Sequence, residues 1–372
     1  MSLVRVASLI TRFQGGAGLQ VLTGALALDA AVYDTTIVEG RPSGPGGLAG
    51  RATMAGLEVI RAPELRRLVQ ILRAGRYDVV HTHGHPYNAL GGVLGRIAAL
   101  RAGVPRIVHT WHGPPDQRHP YLPPRPARIG LERVVALRTD AFLAVGSQTA
   151  SRVLALGLAP AERISVCRPV VDPAGFGGGT TWAQARRRLD LPLGVRVVGG
   201  VGRLSLEKGP DVFLRALAGL PADVMGLWAG EGPLRDRLLR RTGQLGLIDR
   251  VHWLGHRDDL AEVLPAFDVM AVPSRAGGLP AVLLEAVGAG IPVVATAVGA
   301  HRDVVVARET GLLVAPGRPG ALASAAGWLL EHPDAARRMA VKARTMLGAD
   351  DRYSARALGE VLDGAYRAGA QS

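Results

Sequence analysis

Gly202-Arg203-Leu204-Ser205-Leu206-Glu207-Lys208-Gly209 decides the fold of this chain through what stands on either side of it. Before it, Val195–Val201 is a short apolar run rich in β-branched residues, the pattern of a buried strand. After it, a helix is expected to start near Pro210. A strand that breaks at glycine and resumes as a helix is the repeating unit of an open α/β sheet, and ligands in such sheets sit beyond the carboxyl ends of the strands. Arg203 and Lys208 emerge at that end. A guanidinium and an ammonium converging on a diphosphate would neutralise charge accumulating there. The competing reading is a solvated loop that happens to hold two of the 44 cations.

Downstream, Ala271-Val272-Pro273-Ser274-Arg275-Ala276-Gly277-Gly278-Leu279-Pro280 leaves a second strand and opens a helix expected over Ala281–Gly288. Free backbone N–H groups and the positive end of the helix dipole at Gly278–Ala281 suit sugar hydroxyls or phosphate oxygens. Glu285, one turn in, is able to accept hydrogen bonds from a ribose diol. It also satisfies the helix dipole with no ligand at all.

Outward from these loops, apolar runs alternate with helix-length amphipathic segments, once from Leu3 to about Val166 and again from Val195 to about Val314. Strands are expected at Leu3–Ile10, Thr35–Val38, Val79–Thr82, Ile107–Thr110, Ala141–Val145 and Ile164–Val166. The second set is Val195–Val201, Val224–Trp228, Val251–Leu254, Val269–Val272, Val293–Ala295 and Leu312–Val314. Helices fall between them, for example over Pro63–Ala74 and Tyr87–Ala102. At 372 residues the chain exceeds what one core usually organises. The division expected is 1–170, a proline- and glycine-rich linker over 171–194, 195–350, and a last helix over 351–372 that crosses back onto the first domain. The fold class is α/β: two doubly wound, Rossmann-like domains with a ligand cleft between them.

Composition excludes several classes. With 48% hydrophobic and 20% charged residues, the chain is an ordinary globular one. Cys167 is the single cysteine, so an internal disulfide and a cysteine zinc cluster are both excluded. No run reaches the length of a membrane-spanning helix and the N-terminus lacks a signal sequence, so the expected location is cytoplasmic, with contact to the cytoplasmic face of a membrane left open. The net charge is +13, of which residues 1–180 carry 20 Arg against 11 acidic residues, favouring an anionic or lipid-linked partner over a neutral one. Basic residues are not interleaved with aromatics, so nucleic acid is not expected.

The series Gly-Arg-Leu-x-x-x-Lys-Gly at 202–209, Gly230-Glu231-Gly232-Pro233-Leu234, Pro273-Ser274, Gly278-Leu279-Pro280 through Leu284-Glu285-Ala286, and Gly290-Ile291-Pro292-Val293-Val294-Ala295 resembles the family-four retaining glycosyltransferases, which have the GT-B fold. The resemblance covers essentially the whole chain and is strongest over 195–315. It implies transfer of a sugar from a nucleotide diphosphate sugar, of UDP or GDP type, to an acceptor hydroxyl in cell-surface glycan, glycolipid or glycosylated-metabolite synthesis. It also implies no metal or other cofactor, Arg203 and Lys208 on the donor diphosphate, Gly278 and Leu279 at the donor, and Glu285 on the ribose. The family usually has a second glutamate eight positions before the one at 285, where this chain has Gly277. Either the pocket suits a different sugar, or the protein binds a nucleotide sugar with impaired catalysis.

In the first half, Gln14-Gly15-Gly16-Ala17-Gly18 follows a strand and lets the backbone approach a ligand closely. Gly16 and Gly18 followed by Glu39 also invite a nicotinamide-dependent oxidoreductase reading, weakened by Val21 in place of the third glycine. By resemblance Gly16 lies at the donor diphosphate. Histidines crowd two further strand ends, at Asp78-Val79-Val80-His81-Thr82-His83-Gly84-His85 and Val108-His109-Thr110-Trp111-His112-Gly113. With no cysteine or carboxylate cluster beside them, metal binding is not expected. The resemblance makes His112 the hydrogen-bonding partner of the donor sugar, hence catalytic with Arg203 and Lys208, and leaves His83 and His85 as acceptor-side residues. The proline-rich, basic stretch 114–128 is expected to be a loop and, with the basic amphipathic helix Glu64–Arg73, to meet the acceptor.

Overall fold

A computed structural model describes residues 3–41, 47–84, 92–113, 115, 125–170 and 179–367. The chain forms two compact units: Met1–Val170 with Asp351–Ser372, and Val171–Asp350.

The first unit is built on a seven-stranded sheet ordered β3-β2-β1-β4-β5-β6-β7, every pairing parallel. Its strands are β1 (Val4–Arg12), β2 (Tyr33–Arg41), β3 (Glu58–Arg61), β4 (Val79–Gly84), β5 (Arg106–Trp111), β6 (Ala141–Ala144) and β7 (Ile164–Val166). The order reverses between β1 and β4, the switch point at which doubly wound sheets open a crevice. β3 is absent from the expected strands because Glu-Val-Ile-Arg is half charged; at the sheet edge it has one strand neighbour and needs little apolar surface. β1 runs on to Arg12, so the helix Gly15–Ala27 follows it closely.

The second unit holds a six-stranded parallel sheet ordered β10-β9-β8-β11-β12-β13. Its strands are β8 (Arg196–Val201), β9 (Val224–Ala229), β10 (Val251–Gly255), β11 (Val269–Val272), β12 (Val293–Thr296) and β13 (Leu312–Val314). The order reverses between β8 and β11. Helices Pro210–Ala218 and Pro319–Glu331 cover one face, where Val212, Phe213, Leu217, Leu322 and Ala326 pack with Trp228 and Val269 into an apolar core. β9 and β12 read as near-continuous apolar runs because both their faces are covered.

Two expectations change. Within the stretch expected as linker, Thr181 caps the helix Trp182–Arg188 through a reciprocal capping box with Gln184. The fully buried Arg186 of that helix donates to the Ala266 carbonyl and to the Asp268 carboxylate at 2.6 Å, so the helix is part of the second unit. Arg125–Arg128, expected as loop, begins the helix Arg125–Ala136; Pro126 is tolerated because the first turn needs no N–H from it. The rest of that loop, apart from Pro115, and the first residues of the helix expected from Tyr87 lie outside the described residues.

The C-terminal helix Ala355–Arg367 belongs to the first unit. Leu358 and Leu362 pack on Gly24 of the helix Gly15–Ala27, and Gly359 lies so close to the Ala27 carbonyl that a Cβ there would sit 2.6 Å from its oxygen. Tyr366 reaches the sheet, its hydroxyl 2.7 Å from Nδ1 of His81.

Candidate functional site

In the second unit, the residues expected to bind a ligand occupy the two loops that flank the switch point. The loop after β8 carries Arg203 and Lys208; the loop after β11 carries Arg275 to Leu279. Glycine lets these loops touch: Gly209 is held at φ +70°, and a Cβ there would meet the Pro273 carbonyl oxygen at 2.2 Å. Arg275 then clamps the contact. Its backbone N–H donates to the Glu207 carbonyl at 2.7 Å, and its guanidinium donates to the Leu206 carbonyl at 2.9 Å and to both carboxylate oxygens of Asp211 at 2.7 and 2.6 Å. Burial would raise the Asp211 carboxyl, but hydrogen bonds and charge from Arg275, with Arg215 behind, hold it below its ordinary value. Nothing local to Arg275 in the sequence distinguishes it, and its role was not anticipated.

Beside that clamp, Lys208 is half-buried. Desolvation lowers its pKa against the raising influence of Glu207, and no described side chain pairs with its ammonium. Gly277 (φ +143°) leaves open space beside it: a Cβ at 277 would have Nζ of Lys208 at 4.0 Å as its nearest neighbour. Arg203 is exposed, again with no described ion-pair partner. His301, just after β12, is fully buried; its Nδ1 donates to the Thr296 carbonyl at 2.8 Å, so the buried Nε2 is an acceptor with no partner. Desolvation, with a contribution from the Lys208 charge, holds His301 down at about 4. It is a further residue of this site not anticipated from sequence.

The helix Ala281–Gly288 starts where expected, with Pro280 as its N-cap. No side chain caps it; the Leu283 N–H turns back to the Pro280 carbonyl at 3.0 Å, and the N–H groups of Ala281 and Val282 stay open. Leu279 is buried and offers a ligand only its backbone. Glu285 is pushed up to about 7 by desolvation, and its Oε2 is buried without a hydrogen-bond partner. An orphaned carboxylate oxygen is an acceptor awaiting donors.

In the first unit, Gly16 lies exposed in the uncapped first turn of Gly15–Ala27. β4 and β5 deliver the histidines. His83 has Nε2 2.9 Å from Oγ of Ser8 and Nδ1 3.2 Å from Nε2 of His112. His81 lies between Tyr366 and Oγ1 of Thr110, at 2.7 Å from each, its ring 4.0 Å from that of His83. Desolvation lowers all three imidazoles, His81 to about 3 and His112 to about 4, so they are neutral at pH 7. His109 points to the other face, bonded to Thr82 and edge-on to Trp111. His85 lies outside the described residues. Among the described residues no three His, Cys, Asp or Glu converge as a metal site, and no helix is long and apolar enough to cross a membrane.

These features define an α/β protein with two doubly wound units and loops of ligand-binding character at the second unit's switch point. Residues 183–346 match the family Glycosyl transferases group 1, and residues 14–174 match Glycosyltransferase Family 4. D-inositol 3-phosphate glycosyltransferase of Salinispora tropica is 36% identical over 80% of this chain and 65% of its own length; that of Xylanimonas cellulosilytica is 37% identical over 73% and 67%. The chain thus spans about two thirds of these relatives. The GT-B structure of Anabaena HepE in complex with UDP and glucose superposes with a TM-score of 0.85 at 21% identity, covering 98% of this chain and all of HepE. Sucrose-phosphate synthase of Thermosynechococcus elongatus gives 0.80 at 23%, covering 98% of each chain. The chain belongs to the family-four glycosyltransferases.

Proposed function

We propose that the protein is a retaining glycosyltransferase that moves a sugar from a nucleotide diphosphate sugar to an acceptor hydroxyl without a metal cofactor. The observation that carries this reading is that one switch point holds both a half-buried, unpartnered ammonium on the loop after β8 and a buried, unpartnered carboxylate oxygen on the helix that follows β11. A nucleotide diphosphate completes both: its phosphates meet Lys208 and Arg203, and its ribose hydroxyls donate to Glu285. The open N–H groups at Gly278 and Leu279, and those at Gly16, suit phosphate and sugar oxygens. By resemblance, His112 contacts the transferred sugar.

Departure of the nucleotide diphosphate is the step that electrostatics assist. Lys208 and Arg203 stabilise the charge that grows on the leaving phosphate, which in turn accepts the proton of the acceptor hydroxyl. No side-chain nucleophile is assigned, and retention follows from attack on the face that the phosphate leaves.

UDP-glucose is the first donor to assay because HepE is described with UDP and glucose, and a phosphorylated cyclitol is the first acceptor because the relatives are named for D-inositol 3-phosphate. The basic balance of residues 1–180 suits such an anion. A calorimetric and turnover panel of UDP- and GDP-sugars tests the proposal. Binding with transfer, lost in Lys208→Ala, supports it; binding without transfer or donor hydrolysis replaces it by a nucleotide-sugar-binding protein; nicotinamide binding alone refutes it.

A further inference from the structure

Ser8, His83 and His112 form a line of hydrogen bonds whose direction can be deduced. Ser8 lies in the middle of β1 at 4% exposure, and among the described residues its hydroxyl has one partner, Nε2 of His83. A hydroxyl carries one proton and a neutral imidazole one N–H. If His83 donated to Ser8, the buried hydroxyl proton would be left without an acceptor, at a cost of about 1–3 kcal/mol. If Ser8 donates, only spare lone pairs go unused, and buried proteins tolerate that more readily.

Ser8 therefore donates to Nε2 of His83, which places the His83 proton on Nδ1. That N–H points at Nε2 of His112, 3.2 Å away. Nε2 of His112 is then an acceptor, and its proton sits on Nδ1. The His112 backbone is held by its N–H to the Gly84 carbonyl at 3.0 Å, the residue is partly exposed, and Nδ1 meets no described partner.

We propose that Ser8 and His83 are positioning residues that fix His112 as the Nδ1–H tautomer, so that it donates a hydrogen bond to an oxygen of the donor sugar instead of accepting one. The sugar contact rests on the function proposed above; the tautomer does not. Tyr366, His81 and Thr110 form a separate line and leave this one unaltered.

The test is two-bond ¹H–¹⁵N correlation of the histidine rings in the full chain at pH 7, with His112 assigned by the signals lost in His112→Asn. Nδ1–H on His112 is expected in the wild type, changing to a mixture or to Nε2–H in Ser8→Ala. Nε2–H in the wild type overturns the proposal and points to a water in the cavity of about 20 Å³ beside Ser8 as acceptor of the hydroxyl proton. An unchanged tautomer in Ser8→Ala overturns it as well. Affinities separate this role from a structural one: Ser8→Ala is expected to weaken UDP-glucose binding by roughly tenfold, the size of one hydrogen bond, and to leave UDP binding unchanged. Equal loss of both counts against the proposal. If the wild type binds no nucleotide sugar, the functional reading falls while the tautomer measurement still stands or fails by itself.

Discussion

Arg275 grips Asp211 with two parallel hydrogen bonds, 2.7 and 2.6 Å, and through them ties the loop after β11 to the first turn of the helix that follows Lys208. The fork geometry belongs to arginine alone. Arg275→Ala frees Asp211 and the 206–209 turn together, and because both side chains are partly exposed the stability loss is held to about 1–2 kcal/mol. Lys208 loses its placement, so the donor KM is expected to rise and kcat to fall. Arg275→Lys keeps the charge but not the fork and should recover less than half of the lost kcat/KM. Steady-state kinetics with melting curves check this; an Arg275→Ala enzyme with unaltered kinetics would show that the clamp does not position Lys208.

Glu285 sets a pH dependence. Its carboxyl is pushed up by desolvation from an ordinary value of 4.5 to about 7. Across that window the folded chain keeps a proton that the unfolded chain has released, so this group's contribution to stability is full below the window and is lost as pH rises through it. Glu285→Gln, which never ionises, is expected to melt above the wild type at pH 8 and level with it near pH 4. Nucleotide binding runs the other way. If Glu285 accepts from the ribose hydroxyls as proposed, binding needs the ionised carboxylate, so wild-type affinity should weaken as pH falls below about 7 and Glu285→Gln should bind weakly at every pH. Calorimetry from pH 5.5 to 8 measures both limbs.

How far the sequence reveals this arrangement depends on how local each signal is. The loop after β8 is readable because strand, glycine break, cations and helix start occupy one continuous stretch, and Glu285 because its helix begins at a proline after glycines. β3 is not, since two of its four residues are charged and its pairing with β2 makes it a strand. Arg275 is silent because its partner lies 64 residues away, and His301 because its depressed pKa comes from burial that only the fold creates. A serine inside the apolar run Val4–Ile10 is the one trace of the Ser8–His83 line, and a lone serine in a strand has many ordinary explanations.

Gly277 has a conformational role as well as a chemical one. At φ +143° it occupies a region that side-chain-bearing residues rarely adopt, and a Cβ at the adjoining Gly299 would come within 2.1 Å of the Gly277 carbonyl oxygen. Gly277→Ala, which fits the open space beside Lys208, should therefore lower stability by about 1 kcal/mol through backbone strain alone. Gly277→Glu adds a carboxylate within reach of the Lys208 ammonium on top of that strain. Compared with Gly277→Gln, which shares its size and its backbone strain, it reports the charge alone: a higher kcat in the glutamate variant means the site lacks a negative charge at this position, and a lower one means the site works with Lys208 unpaired.

Tyr366 anchors the C-terminal helix to the sheet of the first unit. Its hydroxyl bonds Nδ1 of His81, whose Nε2 is bonded to Oγ1 of Thr110, and all three residues are buried. A phenolic hydroxyl has one proton to give, and desolvation raises the Tyr366 pKa, so the group is a neutral donor at any working pH. Tyr366→Phe keeps the ring, its packing on Leu362 and its edge-on contact with Tyr33, and removes only that donor. The Nδ1 lone pair of His81 is then buried without a partner, which costs about 1–3 kcal/mol. Because this line does not pass through His83 or His112, the first unit should melt earlier while donor KM stays at the wild-type value. Calorimetric melting and steady-state kinetics on one preparation check the pair of outcomes, and a raised KM in Tyr366→Phe would show that the two histidine lines are coupled through their stacked rings.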